Sequence, residues 1–177
     1  MVPRAPRERG FGTRPRKTGR SVRKEKTEPS RYSDGMDVVL EKMNEFAAQF
    51  AAELPRTAPR RAHIVGLSGE LGAGKTTFVQ AVARALGVQE SVTSPTFVIL
   101  QRYKTAHPLF TNLVHVDAYR LSPKEKDTIG FADYLNNPRN LILVEWPENL
   151  PRGAGFPADV PILKFETMNE TIRKITI

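Results

Sequence analysis

Gly69-Glu70-Leu71-Gly72-Ala73-Gly74-Lys75-Thr76 is the stretch on which the fold turns, and Thr77 follows it. It fits G-x-x-x-x-G-K-[ST] in full, the pattern of a phosphate-binding loop. Glycines let the backbone take positive φ and bring successive N–H groups onto phosphate oxygens with no Cβ in the way. Such a loop opens onto the first turn of a helix, where unsatisfied N–H groups and the helix dipole add to the attraction for anions. Lys75 is expected to reach the β- and γ-phosphates of ATP as a point charge, and the Thr76 hydroxyl to ligate Mg2+. The flanking sequence agrees. Ile64-Val65-Gly66-Leu67 is an apolar run that reads as a buried strand entering the loop, and a helix is expected from Lys75 to Leu86, with Gly87 where a helix C-terminus prefers glycine.

A phosphate loop needs an acid at the end of a neighbouring strand to complete the magnesium shell. Two residues qualify: Asp117 closes Leu113-Val114-His115-Val116, and Glu145 closes Leu141-Ile142-Leu143-Val144. In an α/β sheet both acids lie at the carboxyl edge of their strands, beside the loop. One would hold magnesium directly or through its water while the other orients or deprotonates the attacking water; capping of the next helix is the plainer role open to each. Ser91-Val92-Thr93-Ser94-Pro95-Thr96-Phe97 is a polar stretch stiffened by Pro95. It suits either a hydroxyl-bearing sensor of the γ-phosphate or an ordinary loop into the next strand. Trp146 and Pro147 follow Glu145, either beside the nucleotide or as partly buried core. His63, His107 and His115 lack the spacing of metal ligands and read as structural.

Elsewhere, Ser33-Asp34 is expected to cap a helix that carries Val39, Met43, Phe46, Ala47, Phe50 and Leu54 at three-to-four spacing, interrupted by Pro55 and Pro59. Thr96 to Tyr103 reads as a strand and Pro123 to Leu135 as a short helix or two. Pro161 to Thr167 and Thr171 to Ile177 read as a hairpin turning at Met168-Asn169-Glu170. The 177 residues have room for one compact domain, expected over 33–177. Residues 1–32 carry 11 Lys and Arg against 3 acids, whereas 33–177 carry 16 of each, so the whole net charge of +8 sits in the first segment. That segment holds Pro3, Pro6, Pro15 and Pro29 and almost no large apolar residues, and is expected to be disordered. It reads either as an arm that grips phosphate backbones loosely and without sequence preference, tRNA among them, or as a solvated extension. There is no cysteine, which excludes disulfides, thiolate zinc sites and cysteine nucleophiles. With no apolar run of about 18 residues and no secretory signal pattern, the expectation is a cytoplasmic protein with no membrane partner.

Four motifs then stand in order: Gly-Glu-Leu-Gly-Ala-Gly-Lys-Thr-Thr-Phe over 69–78, Thr-Ser-Pro-Thr-Phe over 93–97, His-Val-Asp-Ala-Tyr-Arg-Leu over 115–121 and Val-Glu-Trp-Pro-Glu over 144–148. In that order and spacing the chain resembles the TsaE family, bacterial ATPases of tRNA threonylcarbamoyladenosine biosynthesis, over about residues 36–150. The resemblance implies a three-layer α/β/α sandwich of P-loop NTPase type with a mixed central sheet. It implies a Mg-dependent ATPase that is weak alone and is activated by its partners TsaD, the threonylcarbamoyl transferase, and TsaB, resetting that complex between turnovers. By the same resemblance Lys75 and Thr76 serve phosphate and magnesium, Glu145 ligates magnesium, Asp117 supports hydrolysis, Thr96 lies in a switch-like segment and Trp146 sits beside the site. The arm of residues 1–32 is no part of the family core, and Arg152-Gly153-Ala154-Gly155-Phe156 departs from it.

Two rival readings share some of these features. A P-loop small-molecule kinase has the same loop and magnesium acid, but kinases add an arginine-bearing lid, and here Arg120, Arg139 and Arg152 are scattered. An RNA-binding module that uses ATP only structurally rests on the basic arm alone.

Overall fold

A computed structural model of the chain describes residues 36–95, 98–121, 131–150, 157 and 159–177. Its strands are β1 (Met36–Val39), β2 (His63–Gly69), β3 (Leu100–Lys104), β4 (Asn112–Asp117), β5 (Asn140–Glu145), β6 (Ile162–Thr167) and β7 (Ile172–Thr176). Its α-helices are α1 (Met43–Ala52), α2 (Lys75–Ala85) and α3 (Phe131–Leu135). The strands form one seven-stranded sheet in the order β1-β7-β6-β2-β5-β4-β3. β2 runs parallel to both β5 and β6, and β4 parallel to β5, while β3, β7 and β1 run antiparallel to their neighbours. The sheet is therefore mixed, as the resemblance implied.

Every residue of β4 and β5 is buried, which is why these strands are near-continuous apolar runs rather than alternating ones. Alternation along the strands sends Leu113, Leu141 and Leu143 into one layer, with Phe46 and Phe50 of α1 and Phe78 of α2. It sends Val114, Val116, Ile142 and Val144 into the opposite layer, with Phe131 and Leu135 of α3. Helices thus cover both faces, and the three-layer α/β/α arrangement is present. Under α1 and α2 the rings of Phe46 and Phe50 lie 5.5 and 5.3 Å from that of Phe78, tilted and edge-on, the geometries aromatic quadrupoles favour.

The expected first helix begins late. Val39 belongs to β1 and pairs with Ile172, a turn of 3-10 helix covers Leu40–Lys42, and α1 starts at Met43; Ser33-Asp34 lie outside the described residues. From Met43 onward the period holds, with Met43, Phe46, Ala47 and Phe50 buried. The strand expected from Thr96 starts only at Leu100, and Thr96 and Phe97 lie outside the described residues. Ahead of it Ile99 takes φ 65. There its N–H donates to the Pro95 carbonyl at 2.6 Å and its own carbonyl accepts from Asp117 N–H at 2.9 Å. Left-handed backbone is a true outlier for a β-branched residue. Ile99→Gly is therefore expected to raise stability by about 1 kcal/mol, net of glycine's greater freedom in the unfolded chain, read as a higher urea midpoint at unchanged slope.

Of the helical region expected over Pro123 to Leu135, α3 is seen, and 122–130 lie outside the described residues. The C-terminal hairpin is present: β6 and β7 pair antiparallel with Thr167 opposite Arg173. Asn169 holds its turn, its side-chain oxygen accepting from the N–H groups of Thr171 and Ile172 at 2.9 and 2.8 Å. Residues 1–32 lie outside the described residues. Among the described residues no helix is long and apolar enough to cross a membrane.

Candidate functional site

Register brings the two acids to the loop. Parallel pairing sets Glu145 opposite Leu67 on one side and Asp117 on the other, so the two carboxylates stand side by side at the carboxyl ends of β5, which adjoins the strand that feeds the loop, and of β4, the next strand out. The loop's conformation depends on its glycines. Gly69 has φ 141, and a Cβ there would overlap the Phe165 carbonyl of β6. Gly74, at φ 98, is the N-terminal boundary residue of α2; no side chain caps that helix, which leaves first-turn N–H groups for an incoming anion.

A cavity of about 320 Å³ lies between the loop and the strand ends, with Lys75, Thr76, Ser94, Asp117, Glu145 and Trp146 among its walls. Lys75 is buried, and its Nζ donates to the carbonyls of Gly69 and Glu70 at 2.7 and 2.8 Å. It also sits 3.9 Å from the centre of the Trp146 ring, a cation–π contact. Burial pulls the Lys75 pKa below the ordinary lysine value, and the charges of Glu145, Glu148 and Asp117 oppose that shift. Trp146 reaches this place through a left-handed backbone, φ 58, its N–H donating to the Leu67 carbonyl at 3.1 Å and its ring 4.9 Å from that of Tyr119.

The Thr76 hydroxyl donates to Glu145 Oε1 at 2.7 Å. Asp117 is held at both oxygens: Oδ1 accepts the Tyr119 N–H at 3.1 Å and Oδ2 accepts the Ser94 hydroxyl at 2.9 Å. Gly72, Gly74, Leu71 and Thr77 also border the cavity, with Leu71 77% exposed at the loop tip. Gly69 and Glu70 border instead a second cavity of about 320 Å³ beside β6, and Ala73 is fully buried. Thr96 lies outside the described residues.

Sequence reasoning passed over His115, which it took for a structural residue. Its ring is fully buried and Nε2 lies 2.9 Å from Glu145 Oε1. The available signal was its position two residues before Asp117 on an apolar strand, which puts both side chains on the face that α2 covers.

The family model described as "Threonylcarbamoyl adenosine biosynthesis protein TsaE" matches residues 39–175. The chain belongs to the TsaE family. The match runs past the four motifs to take in β6 and β7, so the hairpin is part of the family domain and not an appendage to it. Among curated TsaE relatives, the tRNA threonylcarbamoyladenosine biosynthesis protein TsaE of Haemophilus influenzae is 35% identical over 122 residues, 68% of this chain and 73% of that one. The TsaE protein of Synechocystis is 36% identical over 117 residues, 64% of this chain and 69% of its own. The crystal structure of YdiB from Bacillus subtilis superimposes with a TM-score of 0.56 at 27% identity, covering 80% of this chain and 81% of that one.

Proposed function

We propose that this chain works in tRNA threonylcarbamoyladenosine biosynthesis as a Mg-dependent ATPase, slow alone and activated by TsaD and TsaB, so that the transferase complex can turn over repeatedly. Residues 33–177 form the ATPase domain, in the cytoplasm with the tRNA it serves. The observation that carries the reading is the convergence of Lys75, Thr76, Asp117 and Glu145 on one cavity at the mouth of a glycine loop.

In this reading Lys75 moves its Nζ from the Gly69 and Glu70 carbonyls toward the β- and γ-phosphates, a short reach for a flexible four-carbon stem. The donor set fits magnesium. Thr76 spends its proton on Glu145 Oε1, which leaves the hydroxyl's lone pairs for a cation. Among the described residues no group of three or more His, Cys, Asp or Glu side chains is arranged to hold a metal. Mg2+ is commonly held by one or two protein oxygens together with phosphates and water, and Thr76 with Glu145 supplies that share. When bound, the ion neutralises charge developing on the β- and γ-phosphate oxygens. Asp117, fixed by Tyr119 and Ser94, orients the attacking water or takes its proton.

A small-molecule kinase needs arginines over the acceptor. Of the three scattered arginines, Arg120 borders the cavity, Arg139 immediately precedes β5 at the far end of the sheet, and Arg152 lies outside the described residues. This distribution favours water as the acceptor. The deciding experiment is depletion in cells followed by nucleoside analysis of tRNA: threonylcarbamoyladenosine should fall, and return with the intact gene. Unchanged levels would discard the pathway. Contact with tRNA through residues 1–32 is a separate element of the proposal, expected to vanish on their deletion and to weaken steeply with salt.

A further inference from the structure

We propose, on the footing of the magnesium reading above, that His115 is a positioning residue that holds Glu145 ready for the cation. His115 lies wholly buried in the layer beneath α2, and its side chain and that of Glu145 are 0% and 4% exposed. A carboxylate has no proton to give, so the 2.9 Å contact is His115 Nε2–H donating to Glu145 Oε1. The same oxygen accepts the Thr76 hydroxyl at 2.7 Å. Two donors converging on Oε1 from β4 and from α2 fix the carboxylate plane and leave Oε2 as the oxygen offered to a cation.

A histidine kept only to fill the core would be poorly chosen here. Its Nδ1 is buried without a hydrogen-bond partner among the described residues, and an apolar ring would carry no such cost. Its ring meets the Glu145 carboxylate, and the strand pleat sets it on the same face as Asp117 two residues on. Partners of this kind, one bond removed from a metal ligand, set the ligand's orientation and are worth about 10–100-fold in metal affinity.

The test is a titration of ATP affinity against Mg2+ concentration in His115→Phe and His115→Gln, alongside the unaltered chain. Phe fills the space with no donor; Gln carries an amide N–H toward the same oxygen. In EDTA all three are expected to bind ATP within about twofold of one another, since the loop and Lys75 are untouched. With Mg2+ the Phe chain should need about tenfold or more magnesium for half its gain in affinity, and the Gln chain should return to within about threefold of the unaltered protein. The proposal is overturned if Phe needs no more magnesium than the unaltered chain, or if Gln fails as badly as Phe. An unaltered chain whose ATP affinity ignores Mg2+ would instead bring down the magnesium reading itself, before any variant is compared. Should the Phe chain not fold, His115→Asn, whose shorter amide stops short of Glu145, takes its place with the same expected loss.

Discussion

Lys75→Met is expected to abolish nucleotide binding while leaving the ligand-free protein at least as stable as before. The lysine ammonium is buried and already aimed at the loop, 2.7 and 2.8 Å from two of its carbonyls. Removing the cationic partner of a desolvated phosphate costs about 3–5 kcal/mol, or roughly 10²- to 5 × 10³-fold in affinity. Stability moves the other way. Burial lowers the folded-state pKa of Lys75, and the neighbouring acids offset this only in part. A base whose folded pKa lies below its unfolded value is carried as a cation at a cost throughout the pH range below that folded pKa; the cost fades as pH rises from the folded value to the unfolded value of 10.5 and is gone above it. Methionine, of similar length and uncharged, removes the cost. Thermal unfolding without nucleotide should give an equal or higher midpoint at neutral pH, the difference shrinking toward alkaline pH, while ATP titration shows no binding. Wild-type affinity in the Met variant would remove the glycine loop from the site.

The second large effect is on turnover. Glu145→Ala and Asp117→Ala are expected to lower the rate of ATP hydrolysis by about 100-fold or more while changing ATP affinity by less than about tenfold, because the proposed function sets them to work on the cation and the attacking water rather than on the phosphates in the ground state. Stability separates Glu145→Ala from a second Asp117 variant, Asp117→Asn. Glu145→Ala strips the acceptor from two donors, the Thr76 hydroxyl and His115 Nε2–H, and His115 is wholly buried. An unsatisfied buried donor costs about 1–3 kcal/mol, so this variant should unfold at a clearly lower urea midpoint. Asp117→Asn keeps the shape and one acceptor oxygen and should stay near the wild-type midpoint while losing turnover. Single-turnover hydrolysis measured beside equilibrium ATP binding separates the two effects; an Asp117 variant that hydrolyses normally would move the water-directing role elsewhere.

What is legible in the sequence is local. The loop, the strand before it, the helix after it and the acid at the end of each apolar run follow from residue type and spacing, and each is present. What escaped depends on partners far along the chain. Met36–Val39 shares a three-to-four spacing with the helix behind it, and only pairing with β7, more than 130 residues later, makes it a strand. His115 has no metal-ligand spacing of its own; its meaning comes from Glu145 on the adjacent strand, set by a register that no local pattern encodes. The left-handed backbone of Ile99 and Trp146 is likewise opaque in sequence, since neither is a residue type that invites it.

The placement of β2 between β5 and β6 also bears on how the protein is made. A ribosome that has just released the glycine loop has yet to synthesise either flanking strand, the later of which ends at Thr167. At about 5–20 residues per second the apolar β2 waits on the order of ten seconds with both edges bare. Nucleotide cannot template this stage, because Glu145 does not yet exist on the nascent chain. On the proposed reading, a bound nucleotide could therefore add to the stability of the chain only after most of it has left the ribosome.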